Sequence, residues 1–589
     1  MTSKLCLFAL ILATLNTVSA QPFYLDSTFA TNGYFISTLP GWDRASDLAI
    51  QPDCKIVTVG HVGTFFSGTC VVSRFLPDGS PDPSFGINGI STFSMAGDDE
   101  LNAVELQSDG KIVVAGGRLN GALGVARLLP NGTLDPSFGN GGKVVFMTST
   151  PKLDAPAKGL AVQPDGKILV ATKSDASNGQ SDNMSIVLRL SANGDLDQSF
   201  GTGGMVMLNV FLGLHELISA FVLQTDGKIL VASQHFGTGS VSTPVLARLS
   251  DNGTIDSSFG NNGYVSLFIG ESVRDLNILP DGRIIGIIQS VPYQLFRLLP
   301  NGNFDLAFGT NGIANINPSP PVFVYVYAYC LTLQDDGKIV LGGFADTPTH
   351  NFFTARYDTS GILDSTFASY GHIILPDLPS VGEIVNGIDS HGTGFIGVGT
   401  HYNALDQNDL VVFRLTNGTS PTAPTASFNA DQNGFTVSFT NTSAGATDYL
   451  WDFGDGQISS LAEPEHTYAN NGTYKVKLTA YNKCVATESV QAISINISDT
   501  NEKLEKNEFS VFPNPNNGSF TIGVNNDIQS ELNCSLVNST GQIVGYRFPV
   551  LHHGANQLRL DFGFVPQGIY TLKINSREKV NSVRVVIIR

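Results

Sequence analysis

Short apolar runs separated by clusters of Gly, Asn and Asp fill the first two thirds of the chain. In one stretch they fall at Ile90 to Phe93, Ala103 to Gln107, Ile112 to Gly116 and Gly124 to Leu129, lengths that suit strands and are too short for helices. The link between the second and third runs has hairpin chemistry. In Pro164-Asp165-Gly166-Lys167, proline presets φ and glycine supplies the left-handed conformation that closes the turn. Cys54 occupies that glycine position in the first such turn, where a non-glycine residue costs on the order of 1 kcal/mol. Further along, Tyr474, Val476 and Leu478 alternate with Lys475 and Lys477, the period of a strand with one face inward.

These runs belong to an internal repeat. A segment Asp-x-Ser/Thr/Ala-Phe ends at Phe29, Phe85, Phe138, Phe200, Phe259, Phe308 and Phe367, at intervals of 49 to 62 residues. An Asp-Gly-Lys turn or a near relative starts at Asp53, Asp109, Asp165, Asp226, Asp281 and Asp336. A third marker is an arginine followed eight residues later by an aspartate: Arg74 and Asp82, Arg127 and Asp135, Arg189 and Asp197, Arg248 and Asp256, Arg297 and Asp305, Arg356 and Asp364. Arg414 has no such aspartate after it, and Asp26 has no such arginine before it, so the N-terminal strand is expected to complete the last unit. Four strands per unit, repeated about seven times, suit a β-propeller, in which radial closure leaves only short edges; an open superhelix is the competing arrangement.

The segments LDPSFGNGG (Leu134 to Gly142), LAVQPDGKILVA (Leu160 to Ala171) and FTARYDTSG (Phe353 to Gly361) resemble the delta-60 repeat, a β-propeller-like repeat of bacterial surface and secreted proteins. That resemblance implies no settled activity. The seventh unit departs from it, with Ser390-His391-Gly392 in place of the turn. Beyond Pro421 and Pro424, the order WDFGDG (Trp451 to Gly456), His466-Thr467-Tyr468 and GTYKVKLTAYN (Gly472 to Asn482) resembles the PKD (polycystic kidney disease) domain, which implies a spacer or weak binding module. After a polar linker, FSVFPNPNNGSFTI (Phe509 to Ile522), LVNSTGQIV (Leu536 to Val544) and VPQGIYTLKI (Val565 to Ile574) resemble the type A C-terminal sorting domain of the type IX secretion system of Bacteroidetes. Pro513, Asn514, Pro515, Asn517, Gly518, Thr540, Gly541, Gln542, Pro566, Gly568 and Tyr570 carry that match. It implies handling by the type IX machinery, passage through the outer membrane, and then either release or surface attachment.

The expected organisation is a signal peptide over 1–20, the repeat propeller over 21–418, a PKD-like β-sandwich over 419–497, a linker over 498–508 and the sorting domain over 509–589. The fold class is all-β: a seven-bladed β-propeller followed by two small β-sandwich domains. Lys4, the apolar run Leu5 to Leu15 and Val18-Ser19-Ala20 predict signal cleavage between Ala20 and Gln21. No segment is long and apolar enough to be a transmembrane span. The six cysteines are scattered, and Cys6 leaves with the signal, so no disulfide framework is expected; Cys54 and Cys70 are the pair close in sequence.

Charge narrows the partners. The whole chain carries a net charge of −18, and the repeat region alone, over residues 21–420, holds 20 Lys plus Arg against 36 Asp plus Glu. Such a surface disfavours nucleic acid and anionic lipid and favours solubility, with divalent cations preferred to polyanions. Residues 501–589 are slightly basic, 9 against 7.

Catalytic patterns are thin. His215-Glu216 lacks a second His four residues on, Ser219 standing there, and Lys111, Lys167, Lys228 and Lys338 are followed by Ile rather than the Ser or Thr of a phosphate loop. No Gly-x-Ser-x-Gly elbow is present. Asp195/Asp197 and Asp335/Asp336 read as turn residues, and the recurring Arg and Asp as one structural device repeated in each unit. No metal site is assigned and no cofactor is expected; Asp452 and Asp455 offer oxygens to Ca²⁺, with turn capping the favoured use. Insertions cluster between strands one and two and between strands three and four, which share one end of a blade. A glycan or surface-protein ligand is therefore expected at that face, near Phe65, Phe66, His235, Phe236, His350, Phe352 and Tyr402. The leading reading is a surface-displayed or secreted binding or adhesion protein, non-enzymatic; a secreted polysaccharide hydrolase or lyase and a structural envelope-layer component are the alternatives.

Overall fold

The computed structural model describes residues 23–587 apart from loop segments, the longest of them 147–156, 176–182, 209–214, 318–324, 376–381, 497–508, 525–532 and 548–556. The signal segment with Ala20 and Gln21 lies outside the described residues, as do Pro513, Pro515, Asn517, Gly518, Thr540 and Gly541 of the sorting motif. Every regular element among the described residues is a β-strand.

Among the described residues of the repeat region the strands group into seven antiparallel sets of four, with the two-residue strand Tyr24–Leu25 also pairing Asn408–Thr416 in the last. The first set runs from an inner strand, Trp42–Ile50, through Ile56–Thr64 and Ser67–Phe75 to an outer strand, Ile90–Phe93. The later inner strands are Leu101–Leu106, Gly159–Val162, His215–Leu223, Ser272–Ile278, Tyr325–Leu333 and Gly382–His391. Middle strands such as Ile112–Gly116 are buried on both faces, which explains their unbroken apolar sequence. Core residues mesh between neighbouring blades: Val57, Val59 and Val72 of the first pack with Leu101, Ile112 and Val114 of the second. The same packing joins the ends of the array, where Ala45, Leu48 and Ile56 meet Ile396, Val398 and Val412.

The structure corrects the grouping of strands. Ile90–Phe93 does not belong with the three runs after it; it pairs with the preceding Ser67–Phe75, Cys70 opposite Phe93. The sequence repeat is therefore offset by one strand from the blade. Accordingly Tyr34–Ile36, near the N-terminus, forms the outer strand of the last set by pairing with Asn408–Thr416, Tyr34 opposite Phe413. A hydrophobic period marks where strands lie and leaves open which sheet an edge strand joins.

Hairpin turns adopt the expected conformation. Gly110, Gly166, Gly227 and Gly337 have φ between 78° and 82°, and Cys54 takes φ 59° at the equivalent place. Cys54 is disulfide-bonded, whereas Cys70 is a buried free thiol, so the two are not bridged to each other. Cys70 sits in mid-strand opposite His61, while Cys54 lies in the turn at the blade's other end.

The PKD-like region is two packed sheets, one of Phe428–Asn433, Thr436–Asn441 and Glu465–Thr467, the other of Ile458–Ser459, Asp448–Asp452, Gly472–Asn482 and Val485–Ile495. Trp451 is fully buried between them, edge-on to Phe428, and its indole N–H donates to Leu461 O at 3.0 Å. This module touches the propeller at the turn of the second blade, where Ser460 N–H donates to Ser108 O.

The C-terminal unit, described by itself, is another pair of sheets around Phe520, Ile522, Leu536, Tyr570, Leu572 and Val585. Its motif residues knit local structure. Asn514 donates to Arg584 O at 2.7 Å and accepts from Val586 N–H at 2.8 Å, and the Tyr570 hydroxyl donates to Pro566 O at 2.9 Å. Gln542 N–H donates to the side chain of Asn538 at 2.9 Å, and a methyl group on Gly568 would press on the Tyr570 ring.

Candidate functional site

Each repeat arginine meets an aspartate. The Nε to Oδ2 distance is 2.8 Å in Arg74–Asp82, Arg127–Asp135 and Arg297–Asp305, and 2.9 Å in Arg189–Asp197, Arg248–Asp256 and Arg356–Asp364. Arg414 completes the set across 388 residues of sequence, with Asp26 at 2.8 Å. Each guanidinium also lies over a repeat phenylalanine, from Phe29 and Phe85 to Phe367, and most reach a carbonyl in the turn of the next repeat, as Arg74 does to Pro130 O at 2.6 Å. The hydrogen bond from the Ser199 hydroxyl, with Arg189 beside it, holds the Asp197 carboxyl down at about 2.

The inner strands enclose a central channel of about 1100 Å³. Six of these strands carry a β-bulge that leaves one residue unopposed: Ser46, Asn102, Ser219, Arg274, Tyr329 and Asn386. A bulge re-aims the extra side chain, and all six line the channel. Lys158 takes the same place in the third blade, its N–H donating to Ala171 O opposite Gly159. In the six units that have the turn aspartate, this residue stands seven positions before it. The ring holds five residue types over seven blades, Ser and Asn each occurring twice, unlike the Arg–Asp pairs.

Charge is layered along the channel. Toward the end that carries the inserted loops lie Arg44, Lys158, Lys173 and Arg274, with Glu100 the carboxylate among them. Glu100 pairs with Arg44 and accepts from Asn102 Nδ2 at 3.2 Å. Arg274 stacks 5.3 Å over the Tyr329 ring. Lys158 is open to the channel yet walled by it; that desolvation, and then the charge of Arg274, push its pKa down. Further along the same strands come four carboxyls, Asp47, Glu105, Asp275 and Asp389. Burial raises Asp47 and Asp275 to about 7 and Glu105 to about 8, and the charges of Asp47 and Asp389 add to the last. Asp47 and Asp275 each accept a backbone N–H from the next blade, Val104 at 3.0 Å and Leu331 at 2.8 Å.

Of the residues expected near the variable face, the structure removes two from contention. Phe352 is fully buried against Phe413, and His235 is buried, which lowers its pKa to about 4. Their positions near strand ends suggested exposure, but inter-blade packing covers them. His350 is exposed beside Asp346 at 3.2 Å and, with Tyr402, flanks Gly382. Phe65 and Phe66 lie outside the described residues. In the PKD-like module Asp452 accepts from Gly454 N–H, and Asp455 accepts from Gln457 N–H and pairs with His466 at 2.8 Å. The channel ring was missed by sequence reasoning; its signal is one variable polar position just before each apolar inner run.

Three family models match the chain. A domain of unknown function, the DUF5122 β-propeller, matches residues 51–85, 107–138, 163–200, 224–259 and 334–367; a PKD domain matches 419–497; a secretion system C-terminal sorting domain matches 510–589. Among curated proteins, the pre-pro-metalloprotease PrtV of Vibrio cholerae is 40% identical over 78 residues, 12% of this chain and 8% of that protein. Collagenase ColQ1 of Bacillus cereus is 29% identical over 152 residues, 22% and 15% of the two chains. The chain thus spans less than a sixth of the curated relatives it matches. Of solved structures, the PKD1 domain of V. cholerae PrtV is 35% identical, covering 13% of this chain and 99% of its own, with a TM-score of 0.13. The β-propeller domain of the Pyrococcus furiosus Trilobed protease is 11% identical, covering 63% and 95%, with a TM-score of 0.34. No helix among the described residues is long and apolar enough to cross a membrane. The sorting domain marks the protein for type IX export to the cell surface or extracellular space, and the chain joins a DUF5122-type β-propeller and a PKD domain to that C-terminal sorting domain.

Proposed function

We propose that this exported protein is a binding protein whose ligand enters the propeller channel from the end that carries the inserted loops. One observation carries the reading. The seven bulge-type positions hold Ser46, Asn102, Lys158, Ser219, Arg274, Tyr329 and Asn386, different chemistry on a repeated scaffold. A group that serves the fold recurs in each blade, as the Arg–Asp pairs do; we assign those pairs to stability. A group that serves a ligand need not recur, because a ligand lacks the sevenfold pattern. The PKD domain then acts as a spacer, and the ligand is a glycan or a surface protein.

The test is retention of the full-length protein on immobilised polysaccharides and glycoproteins, with released products assayed in the same wells. Retention without products, weakened by Ser219→Trp, which projects a bulky ring into the channel, is the expected result. Retention unchanged by Ser219→Trp overturns the assignment of the site.

A second reading, polysaccharide hydrolysis, draws on the channel carboxyls raised to about 7 or 8, since a carboxyl protonated near neutral pH can act as a general acid. Product release lost in Asp275→Asn would establish it over binding.

A further inference from the structure

The mouth of the channel concentrates like charge in a way that folding alone disfavours. Arg44, Lys158, Lys173 and Arg274 converge on one cavity, and Glu100 is already engaged by Arg44. No repeat requires these side chains: at the position of Lys158 and Arg274 the other blades carry Ser, Asn or Tyr. After desolvation, Lys158 feels repulsion chiefly from Arg274 and then from Lys173 and Arg44, with Glu100 the one charge that opposes them. Cations held together without enough partners in a concave, water-reached site are matched by an anion from outside.

The surroundings say what else that anion carries. Next to the cations the wall carries hydrogen-bonding groups, Asn102, Ser219 and Asn386, and among the described residues the Oδ1 of Asn102 is buried without a hydrogen-bond partner. Beyond them stand carboxyls that give and take hydrogen bonds when protonated, as their raised pKa values allow near neutrality. Hydroxyls in several directions around one carboxylate are the pattern of a sugar acid. The net acidic repeat region, by contrast, repels a long polyanion lying along the surface, so a single unit or a chain end fits better than an internal stretch.

Resting on the channel-binding reading above, we propose that the mouth formed by Arg44, Lys158 and Arg274 binds a hexuronate, a pyranose carrying a carboxylate, as a free sugar acid or as the end of an acidic glycan. The carboxylate sits between Lys158 and Arg274, and the ring hydroxyls turn toward Asn102, Ser219 and Asn386.

The experiment is calorimetric titration of the full-length protein with galacturonate and with trigalacturonate, alongside the methyl ester of the trimer, in which the ring is kept and the charge removed. The acid is expected to bind and the ester to bind at least about tenfold more weakly. Lys158→Met and Arg274→Gln should each lose about ten- to a hundredfold, the scale of one charge-assisted hydrogen bond, and Lys158→Arg should recover part of the loss. Urea unfolding shows that each variant is folded. Binding of trimer but not monomer assigns the site to a glycan end, and equal binding of both to the free sugar acid.

Equal affinity for acid and ester, affinity unchanged in both single variants, or displacement of the sugar by a peptide with a free C-terminal carboxylate would overturn the proposal. Binding of a neutral oligosaccharide in a way that Ser219→Trp weakens would sink the hexuronate while leaving channel binding in place. Failure of every ligand to depend on Ser219 would remove both.

Discussion

The Arg–Asp pairs make the sharpest stability prediction, and Arg127→Met is the perturbation that isolates one. Arg127 and Asp135 are 7% and 4% exposed at their side chains. The guanidinium donates to Asp135 at 2.8 Å, to Ser137 Oγ at 3.1 Å and to Ala192 O of the next repeat, and it lies 4.8 Å over Phe138. Breaking a buried ion pair from one side typically costs about 3–5 kcal/mol, because the remaining charge is stranded. Here Asp135 keeps the N–H and hydroxyl of Ser137, at 3.0 and 2.7 Å, and methionine retains part of the stem packing over Phe138. The expected loss is therefore at the low end, about 3 kcal/mol, and Asp135→Asn in the Arg127→Met background should add about 1 kcal/mol or less. The two tryptophans make the assay local, since Trp42 belongs to the first blade and Trp451 to the PKD core. Urea unfolding of Trp451→Phe and Trp42→Phe backgrounds reads the two modules separately. The Trp42 transition should move to lower urea and the Trp451 transition should stay. A shift below about 1 kcal/mol, coupled to lost ligand binding, would return these arginines to a ligand role.

Arg414→Met, whose pair with Asp26 is 18% and 13% exposed, should cost less than Arg127→Met, about 2 kcal/mol by the same unfolding assay, while exposing the N-terminal strand to limited proteolysis. Stability should also depend on pH with an identifiable sign. Asp47 and Asp275 at about 7 and Glu105 at about 8 are raised in the fold, so their contribution is complete below the ordinary carboxylate range and lost as pH rises through about 7 to 8; Asp197, at about 2, contributes above that range and loses it as pH falls through about 2. Melting temperature should peak near about pH 4 and decline as pH rises to about 8, and Asp47→Asn with Asp275→Asn should flatten that decline. Gly110→Ala and Gly166→Ala share a positive-φ penalty of about 1 kcal/mol, but only the first would bring a methyl group to 2.7 Å from Ile458 Cδ1; it alone should loosen the PKD contact, read as faster amide exchange around Ser460. Peptide mapping without reduction should recover Cys54 in a cystine, with Cys70, Cys330 and Cys534 alkylated only after unfolding.

How much of this is legible before any coordinates depends on whether a residue does the same work in each repeat. The Asp-Gly-Lys turns, the Phe that ends each Asp-x-Ser-Phe segment and the Arg–Asp spacing recur, so strand positions can be read directly from the sequence. Blade phase is not legible, because Ile90–Phe93 has no hydrophobic feature that prefers Ser67–Phe75 over Leu101–Leu106; the hydrogen bond of Arg74 N–H to Gly89 O turns the chain back. Phe352 looks like a surface aromatic in sequence because it lies next to an insertion. Burial between blades is a long-range property and leaves no local mark. Cys54 shows both cases: its strained turn follows from the repeat, while its covalent partner depends on how distant elements meet.

The channel ring is hidden for a more specific reason. A strand's alternation assigns each residue to one face, and a bulge adds a residue that belongs to neither count. Ser46 or Tyr329 therefore reads as a slip in the pattern, although each such slip puts one side chain into the channel. The same geometry explains why these positions can differ without harm to the fold. A residue that opposes no partner across the ladder has no cross-strand pair to maintain, so arginine, tyrosine, asparagine or serine can occupy the bulge while Ala45 and Asp47, or Ala328 and Cys330, keep the register on either side. The scaffold thus separates its two tasks by register: paired positions and the Arg–Asp contacts hold blades together, and unpaired ones are free to carry chemistry. Exchanging Lys158 for Ser, the residue of the first and fourth blades, should accordingly leave the unfolding transition unchanged or move it to higher urea, since it removes a crowded charge. A marked loss of stability in that variant would show that the ring supports the fold, and the division by register would fail.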